Sequence, residues 1–249
     1  VQVPEGGTTQ LRVRLSNQPA DTITATVTRE SGDADLTVSV GSPVTFTTAD
    51  WSAWHEVTLA AAEDDADTAN GTATFRVEKT DGSNPVPSKD VTAQEVDDDV
   101  TLTVAVSPSG AGTTTPTVGA QIYEKNTVVP LNATANGGYT WNQWTGPVTG
   151  VATSASNSVT MDAAKTVTAN FALTSLSFEV ENQPVQVAEG GTTSLRVRLS
   201  GQPADTITAT VTRPSGDTDL SVSGGSPVTF TTSGWNAWHA VTLSAAEDN

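Results

Sequence analysis

Acidic side chains are concentrated in two short segments of the first hundred residues. The stretches AAEDDAD at 61–67 and EVDDD at 95–99 carry four carboxylates each. Carboxylate oxygens are the ligands that hard divalent cations take in proteins, and Ca²⁺ binds six to eight oxygens at a time. The two segments therefore predict a calcium site. The alternative is that they are solvated acidic loops that keep the protein soluble.

The predicted strands around these segments determine whether the carboxylates meet. A strand at 55–61 ends in the first acidic loop, a strand at 71–78 runs away from it, and one at 89–96 runs back. Both acidic segments then lie at the same end. The motif PEGG at 4–7 adds a further carboxylate. The end of the sandwich at which it lies depends on whether 36–46 forms one strand or two, and both possibilities remain open. The predicted ligands are Glu5, Glu63, Asp64, Asp65, Asp97, Asp98 and Asp99.

A long internal repeat decides the organisation of the chain. Residues 1–65 and 185–249 align without a gap, and 52 of 65 positions are identical. In the second copy Asn249 replaces Asp65, and no residues correspond to 97–99. We expect the metal site of that copy to be incomplete, with the ligands Glu189, Glu247 and Asp248.

Each copy also lacks strands that the other has. The predicted strand at 174–184 precedes only the second copy, and the strands at 71–78 and 89–96 follow only the first. A sandwich without its outer strands exposes apolar edges. We therefore expect these residues to be one part of a longer array of 184-residue units, in which residues resembling 66–99 follow Asn249.

Composition excludes several classes of function. The chain has 11 basic and 28 acidic residues, a net charge of −17, no cysteine and two histidines. This charge argues against nucleic acid as a partner, and no apolar run approaches the 18 residues of a membrane span. No GxSxG, HExxH or P-loop motif is present. We expect a protein that is not an enzyme and does not insert into a membrane.

The same composition predicts an all-β fold. The chain contains 43 Thr and 30 Val, about 29% of its residues, and β-branched side chains favour strands. Apolar and polar residues alternate with period two in TQLRVRL, TITATVT, HEVTLAA and GTATFRVE. We predict tandem two-layer β-sandwiches with a small β-rich domain between them. The expected domains are 1–99 without its first strand, 100–173, and 174–249 truncated at its C-terminus.

The middle domain carries most of the aromatic residues. We predict a loop at 107–119 and an edge strand at Pro130, because proline cannot donate to a ladder. Tyr139 and Trp141 are two residues apart on one strand and share a face. With Trp144 they predict either a sugar-stacking platform or large core residues. The predicted core comprises Leu131, Ala133, Tyr139, Trp141, Val167, Ala169 and Phe171.

Two parts of the chain resemble known families. Residues 1–99 and 174–249 resemble the Calx-β-like repeats of bacterial surface proteins through PEGG at 4–7, SPVTFTTADWSAWHEVTLAAAEDD at 42–65, GTATFRVE at 71–78 and VTAQEVDDD at 91–99. The second copy carries AEGG at 188–191 and SPVTFTTSGWNAWHAVTLSAAEDN at 226–249. This resemblance implies an immunoglobulin-like sandwich, and some members bind Ca²⁺ through acidic loops at one end.

Residues 102–172 resemble the divergent internalin-B-type bacterial repeat domain. The resemblance rests on Tyr123, VVPLNATANGGYTWNQWTG at 128–146 and MDAAKTVTANF at 161–171. It implies a spacer in a large secreted or surface-anchored protein and no catalytic activity.

Together these observations predict a structural section of a long repeat protein outside the bacterial cell, such as an adhesin stalk or an extracellular filament, stiffened by Ca²⁺. Its partners would be neighbouring repeats of the same chain or of like chains. The alternative function is a carbohydrate-binding accessory region of a secreted polysaccharide-active enzyme, with surface polysaccharide as partner. A third hypothesis is a self-assembling subunit whose incomplete sandwiches accept strands from neighbours.

Overall fold

The computed structural model describes residues 1–64, 68–181 and 183–247 and builds them from strands and turns. The predicted all-β fold is confirmed. No helix in these residues is long and apolar enough to cross a membrane. The chain divides into two compact units: one comprises Val1–Leu102, Ala120–Thr127 and Met161–Lys165, and the other Thr103–Gly119, Val128–Thr160 and Thr166–Asn249.

Eight strands form the first sandwich. They are β1 (Gln2–Pro4), β2 (Thr8–Val13), β3 (Ile23–Gly32), β4 (Thr37–Val40), β5 (Val44–Phe46), β6 (His55–Ala60), β7 (Thr72–Asp81) and β8 (Lys89–Val96). One sheet has the order β1-β8-β7-β3-β5 and the other the order β2-β6-β4. The segment 36–46 therefore forms two strands, one in each sheet.

The alternating side chains of these strands fill the space between the two sheets. In β3, Ile23, Ala25 and Val27 are buried, while the threonines between them lie on the outer face. In the other sheet, Val57 and Leu59 of β6 are fully buried. The period-two pattern of the sequence thus corresponds to the inner faces of a two-layer sandwich.

Seven strands follow along the chain. They are β9 (Asp99–Ser107), β10 (Gly112–Thr115), β11 (Gly119–Glu124), β12 (Val128–Ala135), β13 (Tyr139–Thr145), β14 (Ser156–Thr160) and β15 (Lys165–Leu173). The prediction of a loop throughout 107–119 was wrong, because Gly112–Thr115 pairs antiparallel with β12. The glycine at 112 fits this strand, since a methyl group there would collide with the ring of Phe171.

Pro130 lies in the central strand of the sheet β10-β12-β14, so its assignment to an edge strand was wrong for the strand as a whole. Locally, however, the strand has only one neighbour. Pro130 is opposite Ser158 of β14, and β10 pairs with β12 only over Asn132–Ala135. The residue that cannot donate a hydrogen bond therefore sits where no second partner requires one.

A β-bulge in β13 changes which tryptophan enters the core. The register of β13 against β15 shifts between Trp141 and Gln143, so Trp141 pairs with Phe171 and Trp144 pairs with Ala169. Both tryptophans then face the same side although they are three residues apart. Trp144 is 1% exposed and takes the central core position, whereas Trp141 and Tyr139 are half-buried.

Residues 174–181 and 183–247 form six strands of the second sandwich. They are β16 (Phe178–Glu181), β17 (Thr192–Leu199), β18 (Ile207–Ala209), β19 (Leu220–Gly224), β20 (Val228–Phe230) and β21 (His239–Ala245). The sheets are β16-β17-β21-β19 and β18-β20. Strands β17 to β21 repeat β2 to β6 at an offset of 184 residues. Strand β18 has three residues, whereas β3 has ten and pairs with β7 over most of its length.

Candidate metal centre

Glu5 connects the two acidic segments of the first sandwich. Strand β1 runs parallel to β8, and the backbone N–H of Glu5 donates to the carbonyl of Val96 at 3.1 Å. The Glu5 carboxylate then accepts hydrogen bonds from the backbone N–H of Asp64 at 3.0 Å and of Asp98 at 3.3 Å. The loop after β6 and the segment after β8 therefore meet at one end of the sandwich.

Carboxylates gather around Glu5 in two groups of three. In each group, one oxygen per residue lies within 4.8 Å of the others: Glu5 with Asp97 and Asp99, and Glu5 with Glu63 and Asp98. Two oxygens on opposite sides of a Ca²⁺ ion stand about 4.6–5.2 Å apart, because each bond is about 2.3–2.6 Å long. The spacing thus fits oxygen ligands that share a cation. Asp65 lies outside the described residues.

Backbone turns hold the ligands of the segment 97–99. The backbone N–H of Asp97 donates to the side-chain Oδ1 of Asn70 at 3.0 Å, and that of Asp99 donates to Oδ1 of Asp97 at 2.7 Å. The second is a local side-chain to backbone bond of the kind that Asp favours in turns, whereas the first ties the segment to the residue before Gly71, 27 positions earlier in the chain. Asp99 is 8% exposed, so this end of the cluster extends into the protein.

Three further carboxylates, absent from the predicted ligand set, border the cluster. Glu95 lies on the inner face of β8 in line with Ala93, and Asp33 and Asp35 follow β3. Asp33 is anchored to β7, because its backbone N–H donates to the carbonyl of Thr72 at 2.8 Å. The DAD spacing after β3 and the parity of Glu95 with Ala93 are the sequence signals that could have identified them.

The environment of Glu95 disfavours a negative charge. The residue is 5% exposed, and its Oε1 atom is buried without a hydrogen-bond partner. Burial raises the pKa of Glu95 to about 7, and the nearby charges of Asp33, Glu5 and Asp35 add to the rise. Burial likewise raises the pKa of Asp35, with contributions from Asp33 and Asp64. A cation in this cluster would offset these repulsions.

Gly71 leaves room for these side chains. A methyl group on Gly71 would collide with the carboxylate of Asp33 and would lie 2.9 Å from Oε2 of Glu95. Gly6 has a φ of +60°, and a methyl group there would collide with the carboxylate of Glu63. Residues with side chains at either position would displace a carboxylate from the cluster. Because the candidate ligand atoms are carboxylate oxygens, the arrangement suits a hard cation.

The second copy repeats part of this geometry. Gly190 has a φ of +65°, and a methyl group there would collide with Glu247, as at Gly6 and Glu63. The counterparts of Asp33 and Asp35 are Asp217 and Asp219, which border a depression together with Glu189. No group of three acidic ligands forms among residues 183–247. Asp248 lies outside the described residues.

The aromatic residues of the middle region face largely inward. Trp144 is 1% exposed, so it has no free face for a sugar ring. Trp141 packs edge-to-face on Trp144 and Phe171, with ring centres 5.5 and 5.4 Å away, and its Nε1 donates to the carbonyl of Thr153 at 2.8 Å. These two tryptophans are therefore packed as core residues.

Comparisons with known proteins add one family. Residues 102–175 match the family model described as "Divergent InlB B-repeat domain", so the resemblance of this segment predicted from the sequence is confirmed. No curated protein matches the chain.

Among solved structures, the chain is similar to "Crystal structure of CBD12 from CALX1.2", with 11% sequence identity and a TM-score of 0.28, over 80% of this chain and 76% of that one. The segment 102–175, flanked by the two copies of the sandwich, is thus similar to the divergent InlB B-repeat domains.

Proposed function

We propose that the chain is a non-catalytic structural section of a secreted or surface-attached bacterial repeat protein. Two observations support this proposal. A nearly identical sandwich occurs twice in one chain, and the segment between the copies matches a repeat-domain family. In such arrays each domain contacts mainly its neighbours, so the function lies in length and stiffness. The partners are then neighbouring repeats of the same chain or of like chains.

The observation that carries the calcium part of the proposal is the position of Glu5. Its carboxylate contacts both acidic segments and belongs to both groups of three ligands. Like charges a few Å apart repel by about 1 kcal/mol per pair in water, and by more where water is displaced. A bound Ca²⁺ ion converts this repulsion into attraction, and it links β1, the loop after β6 and the segment after β8.

Isothermal titration calorimetry of the chain tests this site. After treatment with EGTA and dialysis, we expect Ca²⁺ to bind with a dissociation constant on the order of 10⁻⁴–10⁻³ M, as in extracellular modules. Mg²⁺ should bind more weakly, because it demands a tighter octahedral geometry and keeps its water. No heat of binding at several millimolar Ca²⁺ would leave only solvated acidic loops.

Surface location needs a separate test. Antibodies raised against the 249-residue chain should label intact cells of the source bacterium, and protease added outside the cells should remove the label. Labelling that requires permeabilised cells would contradict the proposed location without affecting the calcium result.

A further inference from the structure

A turn of the middle region lies directly against the second sandwich. The turn spans 136–138, between β12 and β13, and it belongs to the same compact unit of the chain as the second sandwich. Gly138 is buried, and a methyl group on it would collide with the backbone of Ala204. A methyl group on Gly137 would collide with the side chain of Gln202. The two glycines therefore let the turn approach the sandwich until the two backbones are in contact.

The turn is held firmly on its own side. The backbone N–H of Tyr139 donates to the carbonyl of Asn136 at 3.1 Å, which closes a β-turn. Gly138 has a φ of +86°, the positive value that a type II turn requires at its third residue. Two further hydrogen bonds anchor Asn136 to the loop before β10. Its backbone N–H donates to the carbonyl of Ala111 at 3.0 Å, and its Nδ2 donates to that of Gly110 at 2.9 Å.

The surface that the turn meets is formed by the second sandwich itself. The Nε2 of Gln202 donates to the carbonyl of Thr232 at 2.8 Å. In the first sandwich, Gln18 makes the same bond to Thr48 at 2.9 Å. The proline that follows this glutamine is buried in both copies. Since both copies fold the segment in the same way, contact with the turn requires no rearrangement of the sandwich, and the surface is preorganised.

The linker between β15 and β16, residues 174–177, is short and bonded at both ends. Its first residue, Thr174, donates its backbone N–H to the carbonyl of Gly138 at 2.9 Å. Its last residue, Ser177, donates its backbone N–H to Oγ of Ser200 at 2.9 Å and accepts the N–H of Ser200 at 2.9 Å. Leu176 packs on the core of the second sandwich. A linker fixed at these positions has little freedom to act as a hinge.

We propose that the turn 136–138, the linker 174–177 and the segment 200–204 form a rigid joint, which fixes the second sandwich relative to the middle region without a metal ion. Neighbouring domains of one chain usually move relative to each other, so this rigidity is a specific property of the joint. None of the three segments contains an acidic residue, so they provide no carboxylate ligands. The role of the joint in an array rests on the proposed structural function, whereas its rigidity is measured on the chain by itself.

The distance between two spin labels tests the joint. The chain has no cysteine, so Val128→Cys in β12 and Thr208→Cys in β18 create two unique and exposed labelling sites. We expect double electron–electron resonance to give a single narrow distance distribution in EGTA, unchanged by the addition of Ca²⁺. A broad distribution in EGTA would overturn the proposal. A distribution that narrows only with Ca²⁺ would also overturn it, because a metal ion would then provide the rigidity.

Gly138→Ala in the labelled chain should open the joint, because the added methyl group would displace the backbone of Ala204. We expect the distance distribution to become at least twice as wide. Gly110→Ala is the matched control, since Gly110 also has a positive φ, +78°, but nothing in the described residues lies within 4 Å of where its methyl group would be. The control should keep the width of the labelled parent chain, and equal widths for the two variants would contradict the role of the turn.

Hydrogen exchange of the wild-type chain provides a readout that does not rely on the variants folding. In EGTA, the amides of Thr174, Ser177 and Ser200 should exchange roughly a hundredfold or more slowly than in an unstructured peptide, because each is hydrogen-bonded in the joint. Exchange of these amides at the unstructured rate would overturn the proposal. A chain that binds no Ca²⁺, or that is not found at the cell surface, would contradict the proposed function and leave both of these readouts unchanged.

Discussion

The carboxylate of Glu5 accepts a hydrogen bond from the backbone N–H of Asp98, which follows it by 93 residues in the chain. The same carboxylate accepts the N–H of Asp64. One side chain thus fixes the start of the sandwich to two later segments, and it is also a member of both groups of candidate ligands. Its removal should affect ion binding more than any other single change in the cluster.

We expect Glu5→Gln to remove most of the response of the first sandwich to Ca²⁺. A ligand at 2 mM with a dissociation constant of 10⁻⁴–10⁻³ M stabilises the folded state by about 0.6–2 kcal/mol. For a domain of about 100 residues this raises the melting temperature by roughly 3–15 °C. Glutamine keeps the acceptor oxygen but not the charge, so less than about half of this rise should remain.

The matched control is Glu189→Gln in the second copy, which has the same sequence surroundings but no group of three acidic ligands among residues 183–247. It should respond to Ca²⁺ like the wild type. Scanning calorimetry in 2 mM Ca²⁺ and in EGTA measures both variants, and an equal response of Glu5→Gln and the wild type would contradict the assignment of the site.

The buried carboxyl of Glu95 predicts a pH dependence of stability in the absence of Ca²⁺. Its pKa rises from 4.5 to about 7 in the folded state, so the unfolded chain ionises this group first as pH increases. The stability of the first sandwich should therefore fall between about pH 4.5 and 7 and level off above that. At 1.36 kcal/mol per pKa unit, the loss from this group is on the order of 3 kcal/mol.

Glu95→Gln should remove most of this slope and raise the melting temperature at pH 8 in EGTA. Glu78→Gln, at an exposed position of β7, is the control and should retain the slope. Urea unfolding at a series of pH values measures both. A Glu95→Gln chain that remains as pH-sensitive as the wild type would show that other carboxylates carry the effect.

Gly32→Ala and Gly216→Ala should differ in cost although they are equivalent positions with nearly the same φ. Both substitutions place a side chain at a positive φ, which costs about 1 kcal/mol. Only the methyl group at position 32 also meets the backbone of β7. We expect Gly32→Ala to destabilise its sandwich by at least about 2 kcal/mol more than Gly216→Ala destabilises the second one. Urea denaturation followed by hydrogen exchange compares the two, and equal costs would contradict the close approach of β7.

Trp144→Ala should destabilise the middle region strongly. The side chain is 1% exposed, and truncation of a buried tryptophan costs about 3–5 kcal/mol. Trp54→Ala is the contrasting variant, because Trp54 is 54% exposed and the guanidinium of Arg14 lies 4.3 Å from its ring centre. That change should cost less than about 1 kcal/mol. Comparable losses in chemical denaturation would contradict the core position of Trp144.

Period-two alternation was sufficient to predict most of the strands. The runs containing Ile23, Ala25 and Val27 in β3, and Val57 and Leu59 in β6, are buried as their spacing indicates. The prediction was wrong where the ladder departs from strict alternation. The bulge after Trp141 adds one residue, so Trp144 rather than Gln143 continues the inner face. A bulge depends on the partner strand and leaves no mark in the spacing of one strand.

The acidic site could be predicted in part, because strand direction alone brings 63–64 and 97–99 to one end. The position of Glu5 could not, since it depends on the parallel pairing of β1 with β8, which joins residues more than 90 apart. Asp33 and Asp35 were missed for a related reason: their turn is held by a hydrogen bond to Thr72 at the start of β7. Contacts of this length follow from tertiary packing and not from local propensity.

The near identity of the two sandwiches has a consequence for folding. Residues 23–29 and 207–213 have the same sequence, so during refolding β5 can pair with β3, about 20 residues away, or with β18, about 160 residues away. Loop-closure entropy favours the native pairing by only about 2 kcal/mol. We therefore expect a fraction of molecules to enter a misassembled trap, as near-identical tandem domains do, and to escape only by unfolding again.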